Sequence, residues 1–102
     1  MRITRSGECG NSPKNAFVED FIIDLITGED LQGRLVEGAV VPQMPWRNAS
    51  ELTITHALSH GRVGAGNGVI EAGGTVRDFA IVLEFANTKG DKVRDVQLYL
   101  AE

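Results

Sequence analysis

The stretch SPKNAFVEDFIIDLITG, residues 12–28, carries the signals of an amphipathic helix. Ser12 can cap the helix by accepting a backbone N–H, and Pro13 suits the first helical position, where its missing N–H costs nothing. Gly28 marks the end. The apolar side chains share one side of such a helix; they are Phe17, Val18, Phe21, Ile22, Leu25 and Ile26. We therefore predict a helix over residues 12–27.

The chain on either side of this helix is less regular. Residues 1–11 mix charged residues with glycine and show no periodicity, so we expect them to be loosely ordered. Glu29 and Asp30 favour the N-terminus of a helix and Gly38 favours its end, which predicts a second, shorter helix over residues 30–37. The prolines in residues 39–50 lack backbone donors, so this part is predicted as an edge strand or a loop.

The hydrophobic period changes to two at Glu51, which is typical of strands. Residues 73–74, a Gly-Gly pair, predict a two-residue hairpin turn. Val93 is out of phase with the apolar residues after it, which predicts a β-bulge near Arg94–Asp95. The pattern predicts four strands, over residues 51–59, 63–72, 75–86 and 92–100.

Two helices followed by a four-stranded antiparallel meander define an α+β fold. The first helix has one apolar stripe and the strands have one apolar face. The simplest packing therefore lays the helix across a single sheet. The length of 102 residues suits a single domain, residues 1–102.

Composition and charge argue against several functional classes. Ten Lys and Arg residues against 14 Asp and Glu give a net charge of −4, which argues against a nucleic-acid binder and a polybasic membrane anchor. The apolar runs are far short of the ~20 residues that a membrane-spanning helix needs. Cys9 is the single cysteine, so no internal disulfide can form, and we expect a cytoplasmic location. No CxxC or HExxH spacing occurs, so we expect no metal and no cofactor.

A set of short motifs lies along the predicted elements: Cys9-Gly10-Asn11-Ser12-Pro13-Lys14-Asn15, Thr27-Gly28-Glu29-Asp30, Glu51-Leu52-Thr53-Ile54-Thr55-His56, Ser59-His60-Gly61-Arg62 and Leu83-Glu84-Phe85. Together with the order of elements, over residues 9–37 and 51–100, they resemble small bacterial members of the nuclear transport factor 2-like (SnoaL-like) superfamily. The resemblance implies a cystatin-like cone, in which helices cover a curved antiparallel sheet. It implies no single activity, because the superfamily holds isomerases, cyclases, hydrolases, dehydratases and non-enzymatic binders.

One segment departs from the pattern of that superfamily. Its members usually carry the rest of a helix, a short hairpin and a third helix before the strand that begins here at Glu51. Residues 38–50 replace all of this, so we expect the pocket to be open, shallow or absent. Because an uncovered apolar interior is usually buried by a partner, we expect a homodimer through the sheet face, which is common in the superfamily.

His56 is the candidate catalytic residue. It is in phase with Leu52 and Ile54, which predicts that it points into the apolar interior. Such a histidine is either a general base in a pocket, with Asp24 or Tyr99 as partner, or a core residue that hydrogen bonds satisfy. No partner carboxylate can be identified from the sequence, which favours the core residue.

Trp46 either plugs the open side of the cone or lines a ligand site. The candidate ligand pocket comprises Trp46, His56, Phe79, Ile81 and Leu98. By resemblance, enzymes of the superfamily place acid and base groups on the pocket side of the last two long strands, near Ile81 and Leu98 here. Both residues are apolar and cannot transfer protons, which argues against catalysis.

The other face of the sheet is the predicted dimer interface. Asp78 and Glu84 alternate with the bulky apolar row that begins at Phe79, so they are predicted to lie on the outer face. Gln97 and Tyr99 take the corresponding side of the last strand. We expect Glu84, Gln97 and Tyr99 to contact the second copy in a homodimer.

The glycine-rich run at residues 64–68 does not have the context of a phosphate-binding loop. A dinucleotide fingerprint opens a helix and a P-loop continues with Gly-Lys-Ser or Gly-Lys-Thr, whereas this run continues as a strand. We interpret the glycines as small residues against which another element packs closely.

Three functions remain open at this point. The favoured one is a non-catalytic cone-fold protein that works as a homodimer and binds a small apolar ligand. The second is an isomerase, cyclase or hydrolase with His56 as general base. The third is a protein-interaction module that uses an exposed sheet face.

Overall fold

The computed structural model of the protein describes residues 1–7, 9–10, 12–31, 33–46 and 48–101. Within them the chain forms one helix and six strands. In chain order these are β1 (Arg2–Thr4), α1 (Pro13–Thr27), β2 (Leu35–Val40), β3 (Ala49–His60), β4 (Val63–Ala72), β5 (Thr75–Phe85) and β6 (Val93–Leu100).

The strands form one mixed sheet in the order β1-β3-β4-β5-β6-β2. Strands β3 to β6 are antiparallel neighbours, whereas β1 and β2 pair in parallel with β3 and β6 at the two edges. The predicted α+β class is confirmed, but the sheet has six strands rather than four. The edge strands were missed because they have three and six residues and no alternating apolar pattern of their own.

Helix α1 packs across one face of the sheet, which we call the inner face. The predicted helix is confirmed to within one residue: Asn15 N–H donates to Ser12 Oγ at 3.2 Å, and Gly28 ends the helix with φ 80°. Its apolar stripe is buried, with Phe21 and Ile22 fully inaccessible. The sheet supplies the other half of the core, from Leu52, Ile54, Ile70, Phe79, Ile81, Leu83, Phe85, Val93 and Val96.

Glycines in β4 let α1 approach the backbone of the sheet. A Cβ on Gly64 would lie 2.7 Å from Val18 Cγ2, and a Cβ on Gly66 would lie 2.5 Å from Ile22 Cδ1. These separations are too short for ordinary carbon contacts, so glycine fits while the helix keeps this position. The interpretation of residues 64–68 as a strand against which another element packs closely is confirmed.

The predicted helix over residues 30–37 is wrong. Gly33 and Gly38 have φ angles of 84° and 78°, which an α-helix does not contain. Strand β2 instead runs beside β6, and Val93 N–H donates to Arg34 O at 2.8 Å. Pairing with a distant strand therefore overrides a weak local helix signal.

Residues 1–11 contain a strand that the sequence did not predict, since β1 pairs with β3 through residues 2–4. The chain after β1 is tied to α1 by Glu19, which is only 2% exposed. The Glu19 carboxylate accepts the Ser6 backbone N–H at 2.7 Å and the Cys9 thiol at 3.1 Å. These contacts join the segment to α1, and the loose order of residues 1–11 stays a prediction. Positions 8 and 11 of the segment lie outside the described residues.

The predicted β-bulge in β6 is confirmed. Phe85 pairs with Val93 and Glu84 pairs with Asp95, so Arg94 is the extra residue. The extra residue changes the phase of the strand. As a result, the apolar residues on both sides of the bulge face α1.

A second bulge, in β3, was not predicted. Ile54 pairs with Gly68 and His56 pairs with Asn67, so Thr55 is the extra residue. His56 N–H donates to Asn67 Oδ1 at 3.1 Å, which satisfies a backbone donor that the interrupted ladder leaves free. This bulge reverses the side of the sheet on which the later residues of β3 lie.

Candidate functional site

The face of the sheet opposite α1, which we call the outer face, is not covered by any other described element. Its side chains form rows that run across the four central strands. One row consists of His56, Asn67, Ala80 and Tyr99, and the next consists of Leu58, Ala65, Val82 and Gln97. The middle of this face is apolar, and polar residues surround it.

A shallow depression of about 240 Å³ lies in the apolar middle. Outer-face side chains of three strands line it, among them Leu58, Ala65, Ala80 and Val82. Leu58 is 53% exposed, although it lies within a sheet and not at the tip of a loop. Exposed apolar side chains that lie together in this way mark an interaction surface.

Polar side chains along β6 border the depression. The Arg94 guanidinium pairs with the Glu84 carboxylate, with 2.6 Å between Nε and Oε1. Tyr99 Oη donates to Gln97 Oε1 at 2.6 Å, and Gln97 Nε2 donates to Asp95 Oδ2 at 3.3 Å. The structure thus places Glu84, Gln97 and Tyr99 on the outer face, where the alternation predicted them.

The prediction that His56 points into the apolar interior is wrong. The bulge at Thr55 shifts the phase of β3 by one residue, so Ala57 is buried while His56 and Leu58 are exposed. Because side chains alternate with a period of two, a shift of one residue moves each later side chain to the opposite face.

His56 is also apart from both partners that were considered for acid–base catalysis. His56 and Tyr99 lie in one row but three strand spacings apart, which is about 14 Å. Asp24 belongs to α1, over the inner face, and its carboxylate pairs with Arg34 at 2.8 Å. Proton transfer needs heavy atoms about 3 Å apart or one bridging water, so these residues do not form one catalytic site.

The second candidate site lies at the C-terminal end of α1. Residues 41–46, which we call the strap, lie between β2 and β3 without helix or strand structure. No backbone hydrogen bond joins the strap to another described residue. Val41, Met44 and Trp46 pack against the core instead. The strap is therefore held by its apolar side chains.

A cavity of about 450 Å³ lies between the strap and the last turn of α1. Its lining is mainly apolar, including Leu25, Ile26, Pro42, Met44 and Trp46, and none of its described side chains is ionisable. A second cavity of about 270 Å³ lies on the other side of Trp46, against the β4–β5 hairpin. The Trp46 ring therefore separates two cavities.

The indole of Trp46 buries a polar group that has no partner. Its ring centroid is 6.0 Å from that of Phe79, with the planes inclined at 55°. Its Nε1 is buried and has no hydrogen-bond partner among the described residues. A buried donor without a partner costs about 1–3 kcal/mol. Trp46 therefore covers the end of the core, at a cost, and also lines the cavities.

The predicted pocket residues do not form one cavity. Phe79 and Ile81 are buried in the core, and Leu98 packs at its margin. Trp46 contacts Phe79 beside the strap, whereas His56 lies on the outer face. Helix α1 fills the space over the middle of the inner face because the β4 glycines let it approach so closely.

The part that Asn67 and Gly68 play was not predicted from the sequence. A Cβ on Gly68 would lie 1.9 Å from Thr53 O, so the β3 backbone can approach at the bulge only because glycine is there. Asn67 supplies the side-chain oxygen for His56 N–H. A signal was present, since an isolated glycine inside a strand often marks a bulge or a close backbone approach.

The fold and the two sites define an α+β protein with one helix on a mixed six-stranded sheet, an uncovered outer face and a cavity beside Trp46. Comparisons of the chain with protein-family models, with curated proteins and with solved structures gave no match. In the part of the chain that the structure describes, no cluster of three or more His, Cys, Asp or Glu side chains is placed to hold a metal ion. The same residues include no helix with the length and apolar character needed to cross a membrane.

Proposed function

We propose that this protein is a non-catalytic member of the nuclear transport factor 2-like superfamily that forms a homodimer through its outer face and binds a small apolar ligand. The apolar middle of the outer face carries the proposal, since Leu58 is 53% exposed and Tyr99 is 55% exposed beside it. Such surfaces on small domains favour burial against a partner. The superfamily assignment rests on the resemblance of the sequence motifs over residues 9–37 and 51–100.

The dimensions of the outer face suit a second copy of the chain as partner. Strands β3 to β6 have 12, 10, 11 and 8 residues. Their shared outer face spans roughly 19 Å by 26 Å, or about 500 Å² in projection, and its accessible area is larger. A specific interface takes roughly 600–1,000 Å² from each partner. Two such faces, packed against each other, reach this range.

The polarity of the outer face also suits a symmetric interface. Typical interfaces have an apolar middle and a polar rim. The rim here includes Arg94 beside the carboxylates of Glu84 and Asp95. Because a twofold axis brings the same patch of each copy together, a rim that carries both signs can pair with itself.

Catalysis is less well supported than binding, because His56, Asp24 and Tyr99 are apart. A cytoplasmic location belongs to the proposal, since the single cysteine, Cys9, cannot form an internal disulfide and its thiol donates to Glu19. The alternative of an interaction module uses the same outer face with a different protein as partner. The oligomeric state of the purified chain separates these two possibilities.

Light scattering after size exclusion tests the dimer. We expect the wild-type protein at micromolar concentration to have twice the chain mass of 11.0 kDa. Val82→Arg places a charge in the apolar middle and should yield the monomer, because an unpaired charge is costly to bury at an interface. Val76→Arg is the matched control, since Val76 is on the same strand and 62% exposed but lies near the hairpin turn. It should remain dimeric.

A wild-type chain that is monomeric up to about 100 μM would overturn the homodimer, because specific interfaces of this size hold well below that concentration. A dimer that persists in Val82→Arg would place the interface elsewhere. Circular dichroism of both variants shows that they are folded, so that loss of the dimer is not confused with unfolding.

A further inference from the structure

We infer that the cavity between the strap and the last turn of α1 binds a compact, uncharged apolar molecule with one oxygen acceptor, which pairs with the Trp46 indole N–H. The inference deepens the ligand-binding part of the proposed function and rests on it. It is independent of the homodimer, which concerns the opposite face of the sheet. The observation that carries it is a buried indole nitrogen without a partner, in a side chain that lines two cavities.

The lining of the cavity defines the body of the ligand. Leu25 and Ile26 from α1 and Met44 from the strap present apolar surface, and no described lining side chain is ionisable. Burying a charge against these side chains is unfavourable, because they offer it no partner. The volume of about 450 Å³ is within the range of small-molecule sites.

The indole N–H defines the polar group of the ligand. The nitrogen can only donate, so its partner has to be an acceptor, such as a carbonyl or ether oxygen. A ligand without an acceptor would leave the donor as unsatisfied as it is in the structure. The site should therefore prefer an acceptor-bearing molecule over one of the same shape that lacks the acceptor.

The strap gives the ligand access to this donor. The indole nitrogen is buried, so an acceptor reaches it once the Trp46 ring turns or the strap shifts. Residues 41–46 have no backbone hydrogen bonds to other described residues, so their displacement breaks none. Asn48, just after the strap, has φ 55°, a backbone conformation that is uncommon for a residue other than glycine. Among the described residues, the contacts that resist movement of the strap are those of side-chain packing.

A pair of probes that differ only in the acceptor tests the inference: 4-tert-butylcyclohexanone and the analogue in which an exocyclic methylene replaces the carbonyl oxygen. Trp46 is the single tryptophan, so ¹⁵N-labelled protein gives one indole N–H signal. We expect the ketone to move the indole proton downfield. We also expect it to bind about tenfold more tightly than the methylene analogue, which corresponds to one hydrogen bond of about 1.4 kcal/mol.

Two variants locate the effect. Trp46→Phe keeps an aromatic ring but removes the donor, so both probes should bind it with equal affinity. Leu58→Asn changes the outer-face depression and should leave the tenfold preference intact. Saturation-transfer NMR measures binding without the tryptophan signal.

Four results would each overturn the inference. They are equal affinities of the two probes for the wild type, an indole signal that does not move, a preference for the ketone that survives Trp46→Phe, and no binding of either probe. If Trp46→Phe fails to fold, the wild-type affinity ratio and the indole shift decide by themselves. A different outcome is a probe that leaves the indole signal unmoved and whose binding is abolished by Leu58→Asn. This outcome would overturn the site beside Trp46, but the protein would still be shown to bind an apolar ligand.

Discussion

Gly68→Ala is expected to lower the free energy of unfolding by about 3 kcal/mol, the upper end of the usual cost of overpacking. The added Cβ would lie 1.9 Å from Thr53 O, and this atom belongs to the backbone of β3 and cannot turn aside. Relief of the clash requires β3 and β4 to separate at the bulge, which breaks pairing between two central strands. Urea unfolding followed by circular dichroism measures the loss.

Two other glycines serve as controls for this prediction. Gly10→Ala introduces the same methyl group where no atom lies within 4 Å, and should change stability by less than about 0.5 kcal/mol. Gly66→Ala should have an intermediate effect, because its closest neighbour, at 2.5 Å, is Ile22 Cδ1 at the end of a flexible side chain. An unfolding midpoint for Gly68→Ala equal to that of the wild type would contradict the bulge in β3.

Glu19→Gln is expected to lower the free energy of unfolding by about 2 kcal/mol, the size of a hydrogen bond to a charged group. The carboxylate accepts two donors, the Ser6 N–H at 2.7 Å and the Cys9 thiol at 3.1 Å. An amide keeps one acceptor oxygen and presents an NH₂ group to the other donor. The chain before α1 should loosen, and hydrogen exchange at Ser6 should become faster.

The same substitution should change the pH dependence of stability. Burial raises the pKa of Glu19, but the hydrogen bonds from Ser6 and Cys9 and the charge of Arg5 outweigh it and hold the pKa below its ordinary value of 4.5. The stability that this carboxylate contributes is therefore fully present above pH 4.5, and it is lost as the pH falls through the lowered pKa. Between about pH 6 and pH 3 the wild type should lose more stability than Glu19→Gln.

Asp20→Asn is the matched control, one residue further along α1. Asp20 Oδ1 accepts from Arg5 Nη1 at 2.7 Å, but the Asp20 side chain is 52% exposed. Exposed ion pairs contribute between about 0 and 1 kcal/mol, so this variant should lose less stability than Glu19→Gln. Two results would contradict the conclusion that Glu19 ties the chain before α1 to the helix. One is an equal loss of stability in Glu19→Gln and Asp20→Asn, and the other is a stability that changes with pH in the same way in Glu19→Gln and the wild type.

Prediction from the sequence succeeded where the signal was local. The Ser12 cap and the Gly28 stop lie within a turn of the backbone groups that they satisfy, so α1 was predicted to within one residue. The outward positions of Gln97 and Tyr99 followed from alternation, because the pairing of β5 with β6 is regular beyond the bulge at Arg94. The same rule failed for His56, because the bulge at Thr55 interrupts β3 just before it.

The sequence by itself determined α1, the four central strands, the bulge at Arg94 and the close packing at the β4 glycines, because each leaves a mark in local periodicity or in a single small residue. Only the tertiary structure decided the two edge strands, the side of the sheet that His56 occupies, and the place of Trp46 between two cavities. These features depend on hydrogen bonds and contacts between residues far apart in the chain. The bulge at Thr55, for example, exists because Gly68 of the neighbouring strand leaves room for Thr53 O.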